Sequence, residues 1–300
     1  MKILMLIIRW KGGVGSYTKN TVKELRKAGH KVKVISREDD LKIFSFYKSI
    51  LTIRNLVKKL IEKKNFDIIC VNDWSLALPL LFPYPLYKEK LFCTFHGIHL
   101  TFPSSFFQRI VAFILKERVI SVGPTLKKRF NKSIMNYEGA DMIKFKPIKR
   151  KKKIKTIGFV LKGTEQINLD DISSVAKTLN YPLVIAKEIP FEKMNSFYNK
   201  CSIFMSIPPE TAGFNLVWTE AMAAGVPIVI GNKEGIGSKL PITKVEKFGW
   251  DKTKTKEEKI KILIKTIKKA KKRNYRMWLI KNNFTWKRHA NNLVKIWEKK

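Results

Sequence analysis

Residues Pro208–Gly231 read PPETAGFNLVWTEAMAAGVPIVIG, and this stretch decides how the rest of the chain is read. The apolar run Ser202–Ile207 just before it has the composition of a buried parallel strand. Gly213-Phe214-Asn215 then opens a helix that carries Glu220 and stops at Gly225. Val226–Ile230 starts the next strand. Strand, loop, helix start and strand, in that order, present free backbone N–H groups and a positive dipole end to an anion such as a diphosphate. Glu220 stands one to two turns into the helix, within reach of hydroxyls on the same ligand, and a carboxylate there suits a ribose diol.

Gly213-Phe214-x-Leu216, then Glu220-Ala221-Met222-Ala223-x-Gly225-x-Pro227-Ile228-Val229, resembles the donor-site signature of GT-B retaining glycosyltransferases of family 4. The resemblance implies an α/β fold, with two Rossmann-like domains facing a cleft and a C-terminal helix crossing back to the N-terminal domain. It implies a hexosyltransferase-type enzyme that moves a sugar from a nucleotide-diphosphate sugar, UDP- or GDP-linked, to a hydroxyl of a glycan, glycoprotein or lipid-linked acceptor. Retention at the anomeric carbon, with the donor's own phosphate as base, and independence from a metal or cofactor are implied with it. In the family a second Glu precedes the helix Glu; Ala212 takes its place here, and Glu210 is the nearest carboxylate. Asn215 stands where a second glycine is usual.

The N-terminus gives a second glycine loop. Lys2–Ile8 reads as a strand, followed by Lys11-Gly12-Gly13-Val14-Gly15, a helix from about Ser16 to Ala28, and a strand over Lys31–Ser36. The spacing fails the Gly-x-Gly-x-x-Gly dinucleotide pattern. It resembles the deviant phosphate loop of ParA-like ATPases, but Ser16-Tyr17 stands where that loop has Lys-Thr. The Gly-Gly loop of GT-B enzymes fits best, and its glycines would let the backbone approach the donor diphosphate.

Further candidates lie at strand ends, where α/β sites are built. His96-Gly97 follows a strand over Leu91–Phe95 and matches a strand-end His-Gly of the family. A histidine there can donate to a sugar hydroxyl or to the leaving phosphate. Asp73, after a strand over Phe66–Val71, and His99 are weaker acceptor-side candidates. The family clamps the diphosphate with an Arg and a Lys after the first strand of the second half; Lys162 and Ile167 occupy those places. Lys162 supplies a point charge without the guanidinium fork. The catalytic set is therefore His96, Glu220 and Lys162. The donor set is Gly12, Gly13, Gly15, Lys162, Glu210, Gly213, Phe214, Asn215, Leu216 and Glu220. Asp39-Asp40 and Asp170-Asp171 are adjacent pairs and not spaced metal ligands.

Composition bounds the rest. Three hundred residues suffice for two domains with separate cores. The net charge of +37 favours anionic partners: nucleotides, phosphorylated acceptors, anionic headgroups or nucleic acid. Cys70, Cys93 and Cys201 lie in apolar runs and read as buried free thiols of a reducing compartment. Abundant Lys, Glu and Ile suit a thermophile or an AT-rich genome. Met1 opens directly onto a strand, and no apolar run reaches the ~20 residues that span a bilayer, so the expected location is cytoplasmic or peripheral on an anionic membrane. Two segments suggest the latter: a helix over Lys42–Lys64 that alternates apolar and basic residues, better explained as core packing with a solvated basic face, and the Phe-rich run Phe102–Lys116.

The expected domains are 1–148 on the acceptor side, a basic linker over 149–155, a nucleotide-sugar domain over 156–282 and a crossover helix over 283–300. The Tyr137-Glu138-Gly139-Ala140-Asp141 and Phe145-Lys146-Pro147 segments resemble the family's Asn-Gly-Val-Asp…Phe-x-Pro closure of the first half. Two other functions stay open: a GT-B-like nucleotide or nucleotide-sugar binder without transferase activity, and a basic nucleic-acid-binding protein, suggested by charge alone.

Overall fold

The computed structural model describes residues 1–43, 46–148, 155–161, 169–187, 189–206, 214–231, 246–248, 255–270 and 274–300. The chain forms two compact units, Met1–Glu138 with Trp286–Lys300, and Gly139–Thr285.

The first unit is built on β1 (Lys2–Ile7), β2 (Lys31–Ser36), β3 (Ile68–Val71), β4 (Leu91–Phe95), β5 (Val119–Ser121) and β6 (Ile134–Met135). They form one parallel sheet of order β2-β1-β3-β4-β5-β6, with Met5 paired to both Val34 and Cys70. The order reverses at β1, which places a switch point at the carboxyl ends of β1 and β3. Its helices are α1 (Gly12–Lys27), α2 (Phe46–Lys64), α3 (Trp74–Leu81), α4 (Ser104–Leu115) and α5 (Pro124–Arg129), joined by α11 from the end of the chain (Trp286–Glu298). Tyr17, Thr21, Val22 and Leu25 recur at helical spacing and turn one face of α1 into the core. Ala290, Leu293 and Trp297 of α11 enter the same cluster as Ile3, Met5, Val22, Leu25 and Cys70. The last helix thus completes the first unit's core.

One helix start in this unit is corrected, and the core-packing reading of a second helix holds. The first helix begins at Gly12 rather than Ser16, so the glycine run is its first turn. The helix expected from Lys42 is described from Phe46, and it is a core helix: Ile53, Val57 and Ile61 are buried, while Lys58, Lys59, Lys63 and Lys64 are exposed. Arg54 of the same helix is buried too. It donates to the carbonyls of Pro79, Phe82 and Tyr84 at 3.1, 2.7 and 3.0 Å, and its guanidinium lies over the Tyr84 ring. Three carbonyl acceptors replace the water that a buried guanidinium loses.

The second unit holds β7 (Ile157–Val160), β8 (Leu183–Ala186), β9 (Ile203–Ser206), β10 (Ile228–Gly231) and β11 (Glu246–Phe248), parallel in the order β11-β10-β9-β7-β8. Its helices are α6 (Leu169–Leu179), α7 (Met194–Lys200), α8 (Leu216–Ala223), α9 (Lys256–Ala270) and α10 (Tyr275–Lys281). Ile157, Phe159, Ile172, Val175, Ile203, Met205, Val229, Leu263 and Ile267 share one buried cluster. All three cysteines are buried free thiols.

Residues 139–148, expected to close the first domain, belong to the second unit. Side chains of that unit hold them. Arg276 donates to the carbonyls of Met142, Phe145 and Ala223, and Asn199 bonds both the Lys146 carbonyl and the Ile148 N–H at 2.9 Å. The basic linker lies outside the described residues except Lys155.

Candidate active site

In the first unit the chemistry gathers past the carboxyl ends of β1, β3 and β4. α1 opens on the glycine run as its first turn, and Lys11, its N-cap residue, makes no side-chain capping bond. The three glycines play different parts. Gly12 takes a φ of 77°, which suits glycine. At Gly15 a Cβ would lie 1.8 Å from the Trp10 carbonyl oxygen, so the missing side chain lets α1 seat against the preceding strand end. At Gly13 a Cβ would meet nothing within 4 Å. Gly13 therefore lies beside open space where a ligand can approach the backbone.

His96 follows β4 and is held on two sides. Its Nδ1 lies 3.1 Å from Glu138 Oε1, and its ring meets the edge of Tyr17 at a centroid distance of 4.5 Å. Glu138 is buried, and burial pushes its carboxyl above the usual range, although the bond to His96 pulls the other way. The pair has two arrangements. With Glu138 ionised, Nδ1 of the neutral ring donates and Nε2 holds a lone pair; with one proton more on the pair, the Glu138 carboxyl donates to Nδ1 and Nε2 carries the ring's own N–H. His96 Nε2 has no hydrogen-bond partner among the described residues. It is a buried polar atom left open to a further partner.

Tyr17 is positioned from α11. Its hydroxyl lies 3.1 Å from His289 Nε2, and His289 Nδ1 donates to the Tyr137 carbonyl at 2.8 Å. Burial drives the His289 pKa down to about 3, so the ring is neutral at physiological pH and Nε2 accepts from the tyrosine. Asn72, at the end of β3, donates to Thr18 Oγ1 at 2.9 Å and ties α1 to the sheet. Asp73 accepts from the Ser75 N–H at 2.8 Å and caps α3. His99 is exposed and edges onto Trp74, with ring centroids 5.8 Å apart.

In the second unit α8 starts past the carboxyl end of β9. Asn215 is its N-cap residue and makes no side-chain capping bond. The first-turn N–H groups of α8 are thus not met by that side chain. Phe214 stacks on Phe284 at 6.1 Å and fixes the entry to the helix. Glu220, one turn on, is buried and accepts from the Tyr198 hydroxyl at 2.7 Å. Burial and the neighbouring carboxylate raise the Tyr198 pKa well above the usual phenol value, so its hydroxyl keeps its proton and donates. Lys162, Glu210, Ala212 and Gly213 lie outside the described residues.

The structure therefore brings His96 to the helix of the glycine loop in one unit, and Phe214, Asn215, Leu216 and Glu220 together in the other. Sequence reading missed Glu138, His289 and Tyr198 as partners and took Tyr17 as core alone. Glu138 left one signal, because it stands where the resembled motif has another residue before its glycine. Tyr198 and His289 left none, since their partners are 22 and 272 residues away in the chain.

Residues 11–134 match Glycosyltransferase Family 4. No curated protein matches the chain. Among solved structures it is similar to the catalytic domain of starch synthase IV from Arabidopsis thaliana, bound to ADP and acarbose, at 12% identity and a TM-score of 0.72, covering 100% of this chain and 99% of that one. It is similar to sucrose-phosphate synthase from Thermosynechococcus elongatus at 13% identity and a TM-score of 0.69, covering 100% and 99%. A third likeness, Anabaena HepE in complex with UDP, stands at 15% identity and a TM-score of 0.65, with both chains covered in full. The fold is GT-B.

Proposed function

We propose that this GT-B protein, whose residues 11–134 match glycosyltransferase family 4, transfers a hexose from a nucleotide-diphosphate sugar to an acceptor hydroxyl with retention and without a metal. The observation that carries the reading is the buried Glu220, oriented by Tyr198 behind the uncapped start of α8. A carboxylate there accepts from the ribose diol while backbone N–H groups face the diphosphate. Departure of the diphosphate builds negative charge, and fixed N–H dipoles and a lysine such as Lys162 stabilise it without reorganising. His96 Nε2 acts on the sugar or the leaving phosphate from its own unit.

The donor base is UDP or GDP in this reading, and the acceptor is a glycan, glycoprotein or lipid-linked molecule. The similar starch synthase IV structure holds ADP and the similar HepE structure holds UDP, which supports a nucleotide-diphosphate site without choosing the base. No described helix is long and apolar enough to cross a membrane. Our reading keeps the protein cytoplasmic, with contact to an anionic membrane made from its surface. A second reading, a nucleotide-sugar binder that does not transfer, is favoured by Ala212 and Ile167, which replace a carboxylate and a cation of the resembled pattern.

Thermal unfolding with UDP, GDP, ADP and their sugar conjugates tests the site. A ligand at about a hundred times its dissociation constant adds roughly 2.7 kcal/mol. A shift with one nucleotide that Glu220→Ala abolishes, together with slow donor hydrolysis, supports the transferase. A shift without hydrolysis or transfer supports the binder, and no shift with any nucleotide overturns both.

A further inference from the structure

We propose that the solvent face of α4, with the groove at its C-terminal end, docks this protein on an anionic lipid bilayer. The helix turns Gln108, Val111 and Leu115 inward. On its other side Phe106, Arg109 and Phe113 are spaced by three and four residues and form one stripe, Lys116 follows at the C-cap, and all four are exposed. Phe106 is 51% exposed and Phe113 77%. Phe102, 81% exposed just before the helix, meets Phe106 with ring centroids 6.2 Å apart and lengthens the stripe. Exposed phenylalanines alternating with cations along one helix face are out of place against water, and they match an interface where rings enter the acyl boundary while cations stay with the headgroups.

The groove supplies the anion site. It holds about 470 Å³ and is lined by Arg109, Phe113, Lys116, Arg129 and Lys132, among others, with no carboxylate in its lining. Among the described residues none of its four cations has an ion-pair partner; Glu117, next to Lys116 in sequence, is engaged by Lys300. Its far wall is built rather than loose. Phe130 is buried against Phe95, Ser133 Oγ donates to the Phe130 carbonyl at 2.6 Å, and Lys127 Nζ donates to the carbonyls of Asn131 and Ser133. Four cations without partners around a fixed cavity suit a phosphate headgroup, and the net charge of +37 draws the whole molecule to an anionic surface. The basic face of α2 exposes four lysines, Lys58, Lys59, Lys63 and Lys64, as many cations as line the groove, but its apolar residues Ile53, Val57 and Ile61 are already in the core. Among its described side chains Leu51 is the one exposed large apolar residue, against Phe106 and Phe113 on α4 with Phe102 beside them, which favours α4.

The proposal bears on the proposed function only by bringing a lipid-linked acceptor within reach, and its test does not require transfer. The full-length protein is sedimented with vesicles of equimolar phosphatidylcholine and phosphatidylglycerol, and with phosphatidylcholine alone. Binding is expected to the mixed vesicles only. Phe106→Ser with Phe113→Ser, and Arg109→Glu with Lys116→Glu, should each weaken it by about tenfold or more. Lys58→Glu with Lys59→Glu on α2, an equal charge change, should stay within about twofold of the parent. Equal loss in the α2 variant, or unchanged binding in the phenylalanine variant, overturns the proposal. So does binding to neutral vesicles as strong as to mixed ones, or a preference for duplex DNA over mixed vesicles at the same salt. Thermal midpoints, with and without nucleotide, are taken on every variant. An intact nucleotide shift alongside lost sedimentation separates failure of docking from failure of the donor site.

Discussion

Glu138 Oε1 sits 3.1 Å from His96 Nδ1, so the one strand-end histidine of the first unit is backed by a buried carboxylate. Burial raises the Glu138 pKa above that of a free carboxyl. Below the ordinary carboxyl range both the folded and unfolded chains hold this proton, and its contribution is fully present. As pH rises, the unfolded chain loses the proton first, so the contribution fades as pH passes through the folded value. Gln in its place keeps the shape and does not titrate. The thermal midpoint of Glu138→Gln, relative to the parent, is therefore expected to rise between pH 4 and pH 8, as measured by calorimetry at intervals across that range. A difference that stays flat with pH would remove the buried-carboxylate account.

Tyr198→Phe tests the second pairing. The ring still fills its place among Phe145, Phe197 and Phe204, but Glu220 loses a 2.7 Å donor. Removing one donor from a buried carboxylate costs about 1–3 kcal/mol. If Glu220 holds the nucleotide, affinity should fall by roughly tenfold, equal to about 1.4 kcal/mol, as the side chain loses its fixed aim. Titration calorimetry with the preferred nucleotide checks this, and parent-like affinity would show that Tyr198 does not orient the site.

Gly13 and Gly15 separate packing from ligand approach. Gly15→Ala drives a methyl against the Trp10 carbonyl and should destabilise the first unit by about 3 kcal/mol. Gly13→Ala meets open space and should leave stability equal or raise it by about 0.5–1 kcal/mol, as alanine favours a helix. Urea denaturation measures both. If the proposed donor diphosphate lies against Gly13, the same Gly13→Ala protein should bind nucleotide more weakly, because its methyl fills the open space beside the backbone.

Arg276 reaches three carbonyls, on Met142, Phe145 and Ala223. Lysine keeps the charge but lacks the planar fork that spans them. Arg276→Lys should cost about 1.5–3 kcal/mol, since bonds from a charged donor are lost and carbonyls are left short of partners. A urea midpoint unchanged from the parent would mean that solvent serves those carbonyls as well.

Much of the fold was legible because parallel strands buried on both faces are continuous apolar runs. Leu91–Phe95, buried along its whole length, was placed to the residue, and so was Lys31–Ser36, a strand only partly buried. Helix starts were harder. Gly12-Gly13-Val14-Gly15 reads as a loop by propensity, yet it is the first turn of α1, because a close approach to Trp10 rewards glycine there more than helix propensity penalises it. The boundary of the first domain was also misread. The charge run at 149–155 looks like a divider, but where a segment belongs depends on what it packs against, and Arg276 and Asn199 hold 139–148 in the second unit.

The sequence by itself determined the αβ alternation, the helix start that leads to Glu220, and the strand-end histidine. These are local, because strand, glycine and helix signals act over a few neighbouring residues. Only the tertiary structure decided that Tyr198 aims Glu220, that Glu138 backs His96, that α11 supplies His289 to Tyr17, and that Phe106 and Phe113 of α4 face solvent. Each of these depends on where distant segments meet or on which side of a helix the core lies. Such information enters the chain through packing and is carried by no single stretch of it.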